Sequence, residues 1–164
     1  MLVVSDTSPL SSLFLIGQLH LLPAIFGKVV VPEKVWEELT ILETDFGYDL
    51  SFLKSAPWLE LNSPKDASEV RRLEQFLDAG ESAAIILAKE LHAEYLLIDE
   101  REGRKAAVQE GLKTIGVLGV FIQAKSSGLI RQVHPLMLDL QEKANFHIHG
   151  DLFAAVLKQA GEQV

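Results

Sequence analysis

The chain has 164 residues, 48% of them hydrophobic, and a formal net charge of -8. That is enough for one domain with a substantial core, too apolar for a disordered protein, and too acidic for one that holds nucleic acid by charge alone. It contains no cysteine, which excludes disulfides, thiolate catalysis and zinc–thiolate sites.

No apolar run reaches the ~18 residues that span a membrane. The start, Leu2-Val-Val4, has neither the basic flank nor the cleavage site of a signal peptide. A cytoplasmic protein is expected, and residues 1–164 read as a single domain.

Met1 to Ser5 reads as a short apolar strand ended by Asp6. Ser8-Pro9 reads as a helix start, with Ser8 at the N-cap and Pro9 in the first turn. That helix runs to Gly17, and a second from Leu19 to Phe26 stops at Gly27. Lys28 to Val31 is a second strand, closed by Pro32. Glu33 to about Leu42 is a helix with a stripe of Val35, Leu39 and Leu42. Glu38 lies beside that stripe and Glu37 nearly opposite, so Glu38 is expected to turn inward and Glu37 outward.

Residues 43–65 are irregular, with a short helix near Leu50–Lys54 and a short strand at Trp58–Leu61. Ala67 to Leu77 is amphipathic, and Gly80 is expected to separate it from the next helix. There Glu81 shares a face with Ala84, Ile85 and Ala88, while Ile86 and Leu87 cover other faces, so this helix is expected to be largely buried. Tyr95-Leu-Leu-Ile98 is a strand ended by Asp99. Arg101–Glu110 is a charged helix, and Lys113-Thr-Ile-Gly-Val117 a further strand. Short helices are expected at Val120–Lys125, Val133–Ala144 and Asp151–Ala160.

Helices alternating with short apolar strands make an α/β domain, with a parallel sheet covered on both faces. Ligands of such sheets bind outside the carboxyl ends of the strands. Asp6 and Asp99 stand at two of those ends, and Glu38 and Glu81 lean inward from early helix turns. A carboxylate in an apolar stripe is costly unless paired. Four converging carboxylates without thiolates suit hard cations such as Mg2+ or Mn2+, and the chemistry implied is phosphodiester hydrolysis. Taken singly, Glu81 also reads as a helix-end charge and Asp99 as a cap.

Four stretches resemble, in order, the acidic motifs of the PIN-domain nucleases: Val4-Ser-Asp-Thr-Ser8, Val31-Pro-Glu-Lys-Val-Trp-Glu-Glu-Leu39, Gly80-Glu-Ser-Ala-Ala-Ile-Ile-Leu-Ala88 and Leu96-Leu-Ile-Asp99. That family includes the VapC-type toxin nucleases of toxin–antitoxin systems. Gly103-Arg-Lys-Ala and Gly116-Val-Leu-Gly119 resemble a branch described only as nucleic-acid-binding. The resemblance implies a three-layer α/β/α sandwich with a short central parallel sheet. It implies a ribonuclease using Mg2+ or Mn2+, with Asp6, Glu38, Glu81 and Asp99 as metal-binding, catalytic acids. Ser8 would be a polar neighbour that orients metal or water. It also implies a small antitoxin as partner, and a homodimer burying apolar helices between Leu19 and Leu42. The chain departs from the pattern at the third acid, usually Asp and here Glu81. It departs again after the fourth, where Glu100-Arg-Glu-Gly103 leaves Asp99, Glu100 and Glu102 all as candidates for the metal-facing acid.

Arg101, Arg104 and Lys105 are candidate contacts for substrate phosphates, against the alternative of a solvated helix face. His147-Ile-His149 reads as surface histidines rather than a metal pair, and Trp36 as packing rather than base stacking. Two other readings stand beside the nuclease. One is a non-catalytic PIN-like module binding RNA or protein. The other is a phosphoryl-transfer domain with an acidic Mg2+ pocket, which needs a paired-acid strand end that Asp6-Thr-Ser8 does not provide.

Overall fold

Branched apolar runs make the strands. Val3-Val4, Val29-Val30-Val31 and Leu96-Leu97 are buried throughout, as a sheet covered on both faces requires. The computed structural model describes residues 1–163. Its strands are β1 (Leu2–Ser5), β2 (Lys28–Val31), β3 (Leu59–Leu61), β4 (Tyr95–Leu97) and β5 (Thr114–Ile115), all parallel, in the order β3-β2-β1-β4-β5. The helices described are α1 (Thr7–Leu15), α2 (Leu21–Phe26), α3 (Glu33–Thr44), α4 (Ser51–Lys54), α5 (Ala67–Glu74), α6 (Ala79–Glu90), α7 (Arg101–Gln109), α8 (Val117–Ser126), α9 (His134–Lys143) and α10 (Gly150–Gln159). None of them is long and apolar enough to cross a membrane.

The period of two along each strand divides the core. Val3, Val29, Val31 and Leu97 join Leu13 of α1, Leu22 of α2, Leu39 of α3, Phe121 of α8 and Met137 of α9. Val4, Val30, Leu96 and Ile98 join Leu73 of α5, Ile85 and Leu87 of α6 and Ala107 of α7. The result is a three-layer α/β/α domain.

From β1 the chain winds outward through β2 to β3, then returns to β4 on the other flank of β1. Winding reverses between β1 and β4, and the crevice at their carboxyl ends is where such sheets receive ligands. Ser5 pairs with Leu97 in register, and the Asp6 N–H donates to the Leu97 carbonyl at 2.9 Å. Asp6 is thereby fixed at that crevice.

Among the boundaries that differ from the sequence expectation, three bear on the crevice. Helix α1 starts at Thr7, so Asp6 and not Ser8 is its N-cap residue; Pro9 still fits, because its missing N–H falls in the first turn. Gly80 lies inside α6, whose N-cap is Asp78. The strand expected at Lys113–Val117 is only Thr114–Ile115, and Val117 already opens α8. An apolar run buried in either conformation carries no periodicity to separate the two.

Candidate metal centre

Asp6 leaves β1 into the crevice and is only 3% exposed as a residue. Although it stands at the N-cap of α1, its carboxylate makes no capping hydrogen bond. Burial pushes its pKa up to about 8. The Thr7 backbone N–H opposes the rise, and the charges of Glu81, Asp78 and Glu38 add to it.

Glu38 arrives from α3. It is half-buried while Glu37 is exposed, and Glu37 pairs with Lys34 at 3.4 Å. The Thr7 hydroxyl donates a hydrogen bond to Glu38 Oε2. The Glu38 carboxylate lies against Gly80 of α6, where a Cβ would come within 2.5 Å of Oε1.

Glu81 sits in the first turn of α6, buried despite its charge. Its backbone N–H donates to Asp78 Oδ1 at 2.8 Å, so Asp78 caps the helix beside the site. Its carboxylate lies over Gly103 of α7, where a Cβ would be 3.3 Å from Oε2. Burial pushes Glu81 up to about 7, with the charges of Asp78, Glu100 and Glu38 adding.

Asp6, Glu38 and Glu81 are thus brought within each other's electrostatic reach. Asp99 is placed differently. Its Oδ1 accepts the Val117 N–H at 2.9 Å, at the start of α8. The carboxylate lies against Gly116, where a Cβ would be 2.6 Å from Oδ1. Oδ2 is buried with no hydrogen-bond partner among the described residues. Burial pushes Asp99 up to about 6; the Val117 N–H and then Arg104 oppose this, and Glu100 adds to it. Glu100, exposed at the N-cap of α7, is therefore the acid whose charge reaches both Asp99 and Glu81. Glu102 is exposed in the first turn of that helix.

Ser8 and Ser12 share a cavity of about 360 Å3 with Asp99 and Glu100, walled by Asn145, Phe146 and His147. Of the three candidate phosphate contacts, Arg104 lines a cavity that also touches Asp99, while Arg101 and Lys105 are exposed on α7. His147 and His149 diverge. His147 faces the cavities, and His149 Nδ1 accepts the Asp151 N–H at 3.3 Å at the start of α10. Trp36 and Trp58 pack against the core.

Thr7, Asp78, Gly103 and Gly116 were not singled out for the site from the sequence. Asp78 was readable, because Asp-x-x-Glu before an apolar run is a helix-start signature. The glycines were not, since Gly116 makes room for the Asp99 carboxylate and Gly103 for Ile98 and, less tightly, Glu81, contacts that only the fold creates.

The donors are all oxygens, from carboxylates with the hydroxyls of Thr7, Ser8 and Ser12 beside them, the set that hard divalent cations prefer. Asp99 Oδ2 has no hydrogen-bond partner among the described residues, and at Asp6 and Glu81 burial and the repulsion of neighbouring acids outweigh the compensation that the described residues give. The residues therefore fit Mg2+ or Mn2+. Among the described residues no three stand ready to ligate a single ion, so closing on one requires side-chain rotation, available to the long Glu38 and Glu81.

A family model described as PIN domain matches residues 2–162. Among solved structures, the chain is similar to a PilT N-terminus domain protein, SSO1118, from the hyperthermophilic archaeon Sulfolobus solfataricus P2. The identity is 16% and the TM-score 0.47, over 91% of this chain and 98% of that one. A search of curated proteins found no match.

Proposed function

The chain belongs to the PIN-domain family, a nuclease-type fold, and we propose that it is a ribonuclease that hydrolyses RNA phosphodiester bonds with Mg2+ or Mn2+. The observation that carries this reading is the convergence of Asp6, Glu38 and Glu81 at the β1–β4 crevice, two of them buried with raised pKa values.

A divalent cation bound there would supply Lewis acidity toward a phosphate oxygen. The chain supplies the rest. Asp6 anchors the set from the rigid sheet end. Thr7 orients Glu38 through its hydroxyl. Asp78 holds the first turn of α6, and so the place from which Glu81 reaches. Glu100 adds a fourth carboxylate beside Glu81, and Ser8 a hydroxyl on the cavity wall.

Cleavage of a single-stranded RNA with Mn2+ tests the reading. The wild-type chain should cut and Asp6→Asn should not; equal cleavage by both refutes the site. The second reading is an RNA- or protein-binding module without cleavage. It is favoured by the absence, among the described residues, of a ready three-ligand arrangement. Thermal stabilisation by Mn2+ with every RNA left intact would support it.

The toxin role, with a small antitoxin as partner and a cytoplasmic location, belongs to the same proposal, as does a homodimer. Leu21, Leu22, Phe26, Val35 and Leu39 are spent on the core. The apolar surface near them that is open to a second copy is Ile41, Phe46, Tyr48 and Phe52.

A further inference from the structure

Beyond Asp99 a second cavity opens, of about 420 Å3, within the ~300–1,000 Å3 of small-molecule sites. Ile115, Leu118 and Ile122 give it apolar walls, and Arg104, Thr114 and Gln159 put polar groups among them. Asp99, Phe146 and His147 line this cavity and also the one lined by Ser8, Ser12 and Glu100. The two adjoin, so that a trough runs from Ser8 to Gln159.

The wall they share is held in place. Asn145 takes a left-handed bend at φ 50°, and the Phe146 N–H donates to the Leu140 carbonyl at 3.0 Å. Gly116 keeps the junction open: a Cβ there would come within 3.4 Å of Arg104 Nη1 and 2.6 Å of Asp99 Oδ1. Arg104 is exposed and makes no ion pair among the described residues. A guanidinium without an ion-pair partner, on the wall of a cavity of mixed polarity, is suited to a phosphate whose attached group enters that cavity. Aliphatic side chains on one part of the wall and polar groups on the rest suit a nucleobase, which buries its faces against apolar surface and hydrogen-bonds at its edge.

We propose that this cavity is a nucleotide subsite, taking one unpaired base of a single-stranded RNA with Arg104 on its phosphate. It rests on the ribonuclease reading for the identity of the strand and deepens it. A base held in a duplex is stacked and paired and its faces are not free to lie against Ile115, Leu118 and Ile122, so the strand this subsite takes is single-stranded RNA. Recognition by shape also fits a chain of net charge -8, which has little general attraction for a polyanion.

The test uses the full chain with chelator, so that no metal chemistry intervenes. AMP, GMP, CMP and UMP are titrated separately and followed by amide NMR, with inorganic phosphate as the control. At least one nucleotide should bind, shifting resonances from Ile115–Ile122 and Phe146–His147, and more tightly than phosphate. Arg104→Gln, on an exposed side chain, and Ile122→Trp, which fills the cavity, should each weaken binding by at least about tenfold. Ile122→Trp should keep the wild-type thermal shift with Mn2+, and a cooperative melt of each variant reports that it folds.

No binding by any nucleotide, binding no tighter than phosphate, or full binding by both folded variants overturns the subsite. If Ile122→Trp does not fold, Arg104→Gln alone decides. RNA cleaved by wild type and both variants at equal rates defeats the subsite and leaves the ribonuclease. Nucleotide bound here with no RNA cleaved defeats the ribonuclease and leaves the subsite.

Discussion

Gly80 leaves nothing between α6 and the carboxylate of Glu38: a Cβ there would lie 2.5 Å from Oε1 and 2.7 Å from Oε2. Glycine inside a helix costs ~0.5–1 kcal/mol relative to alanine, and here that cost accompanies the approach of an acid from another helix. Gly80→Ala should therefore divide stability from function. The obstructed atoms are the far end of a flexible side chain, so Glu38 swings away at small cost and the metal-free melting temperature holds or rises. RNA cleavage should fall at least about tenfold, ~1.4 kcal/mol of transition-state stabilisation. Wild-type cleavage by a folded Gly80→Ala protein would show that the position of Glu38 does not matter.

The hydrogen bond from Thr7 to Glu38 Oε2 gives a second test. Thr7→Ser keeps the hydroxyl and Thr7→Val keeps the shape. Thr7→Val should lose much of the Mn2+-dependent cleavage and Thr7→Ser should retain most of it. Glu37→Gln, on the exposed neighbour that pairs with Lys34, should stay near wild type. Two Thr7 variants with the same rate, measured under single-turnover conditions, would remove Thr7 from the site.

The raised pKa values fix the sign of the pH dependence. Asp6 moves from 3.8 to about 8, Glu81 from 4.5 to about 7 and Asp99 from 3.8 to about 6. Each binds its proton more tightly folded than unfolded. The stabilisation is complete below the ordinary carboxylate pKa and lost as pH rises through the folded values. Metal-free protein should therefore melt at lower temperature as pH rises from about 5 to about 8.5. Carboxylates with lowered pKa, such as Glu162, lose their contribution only at more acidic pH, outside this window. Mn2+ must displace the protons, so its stabilising shift should grow over the same range. Scanning calorimetry with chelator and with Mn2+ checks both slopes, and a metal-free melting temperature that climbs with pH contradicts the assignment.

Much of this was legible in the sequence because its signals are local. Val29-Val-Val31 lies between Gly27 and Pro32, and the wheel through Val35 and Leu39 separates Glu38 from Glu37 with no tertiary information. The all-round burial of Gly80–Ala88 follows from apolar residues on every face. What was not legible depends on contacts between distant elements. Gly80 read as a separator because its reason, Glu38, lies 42 positions earlier. The direction of Asp99 is set by the Val117 N–H, 18 positions later, in a stretch whose apolar run conceals a strand-to-helix change.

That last contact separates Asp99 from Glu100. Asp99 closes the start of α8 through Oδ1, while Glu100 acts on Glu81. Asp99→Asn keeps an acceptor for the Val117 N–H and removes a buried charge. It should fold with unchanged or higher metal-free stability. Asp99→Ala loses the acceptor and should cost ~0.5–2 kcal/mol, as the loss of a helix cap does. Glu100 is exposed and makes no such bond, so Glu100→Gln should leave metal-free stability within ~0.5 kcal/mol. Its effect belongs to the cation: with one carboxylate fewer beside Glu81, the Mn2+-induced thermal shift should shrink. If Glu100 is the acid that completes the centre, Glu100→Gln should reduce that shift more than Asp99→Asn does. The opposite order would mean that Asp99 swings off α8 when the cation binds. Backbone amide exchange at Val117 would then quicken with Mn2+, whereas a cap that stays in place leaves it protected. Calorimetry on the three variants with amide exchange at that one position assigns the fourth carboxylate.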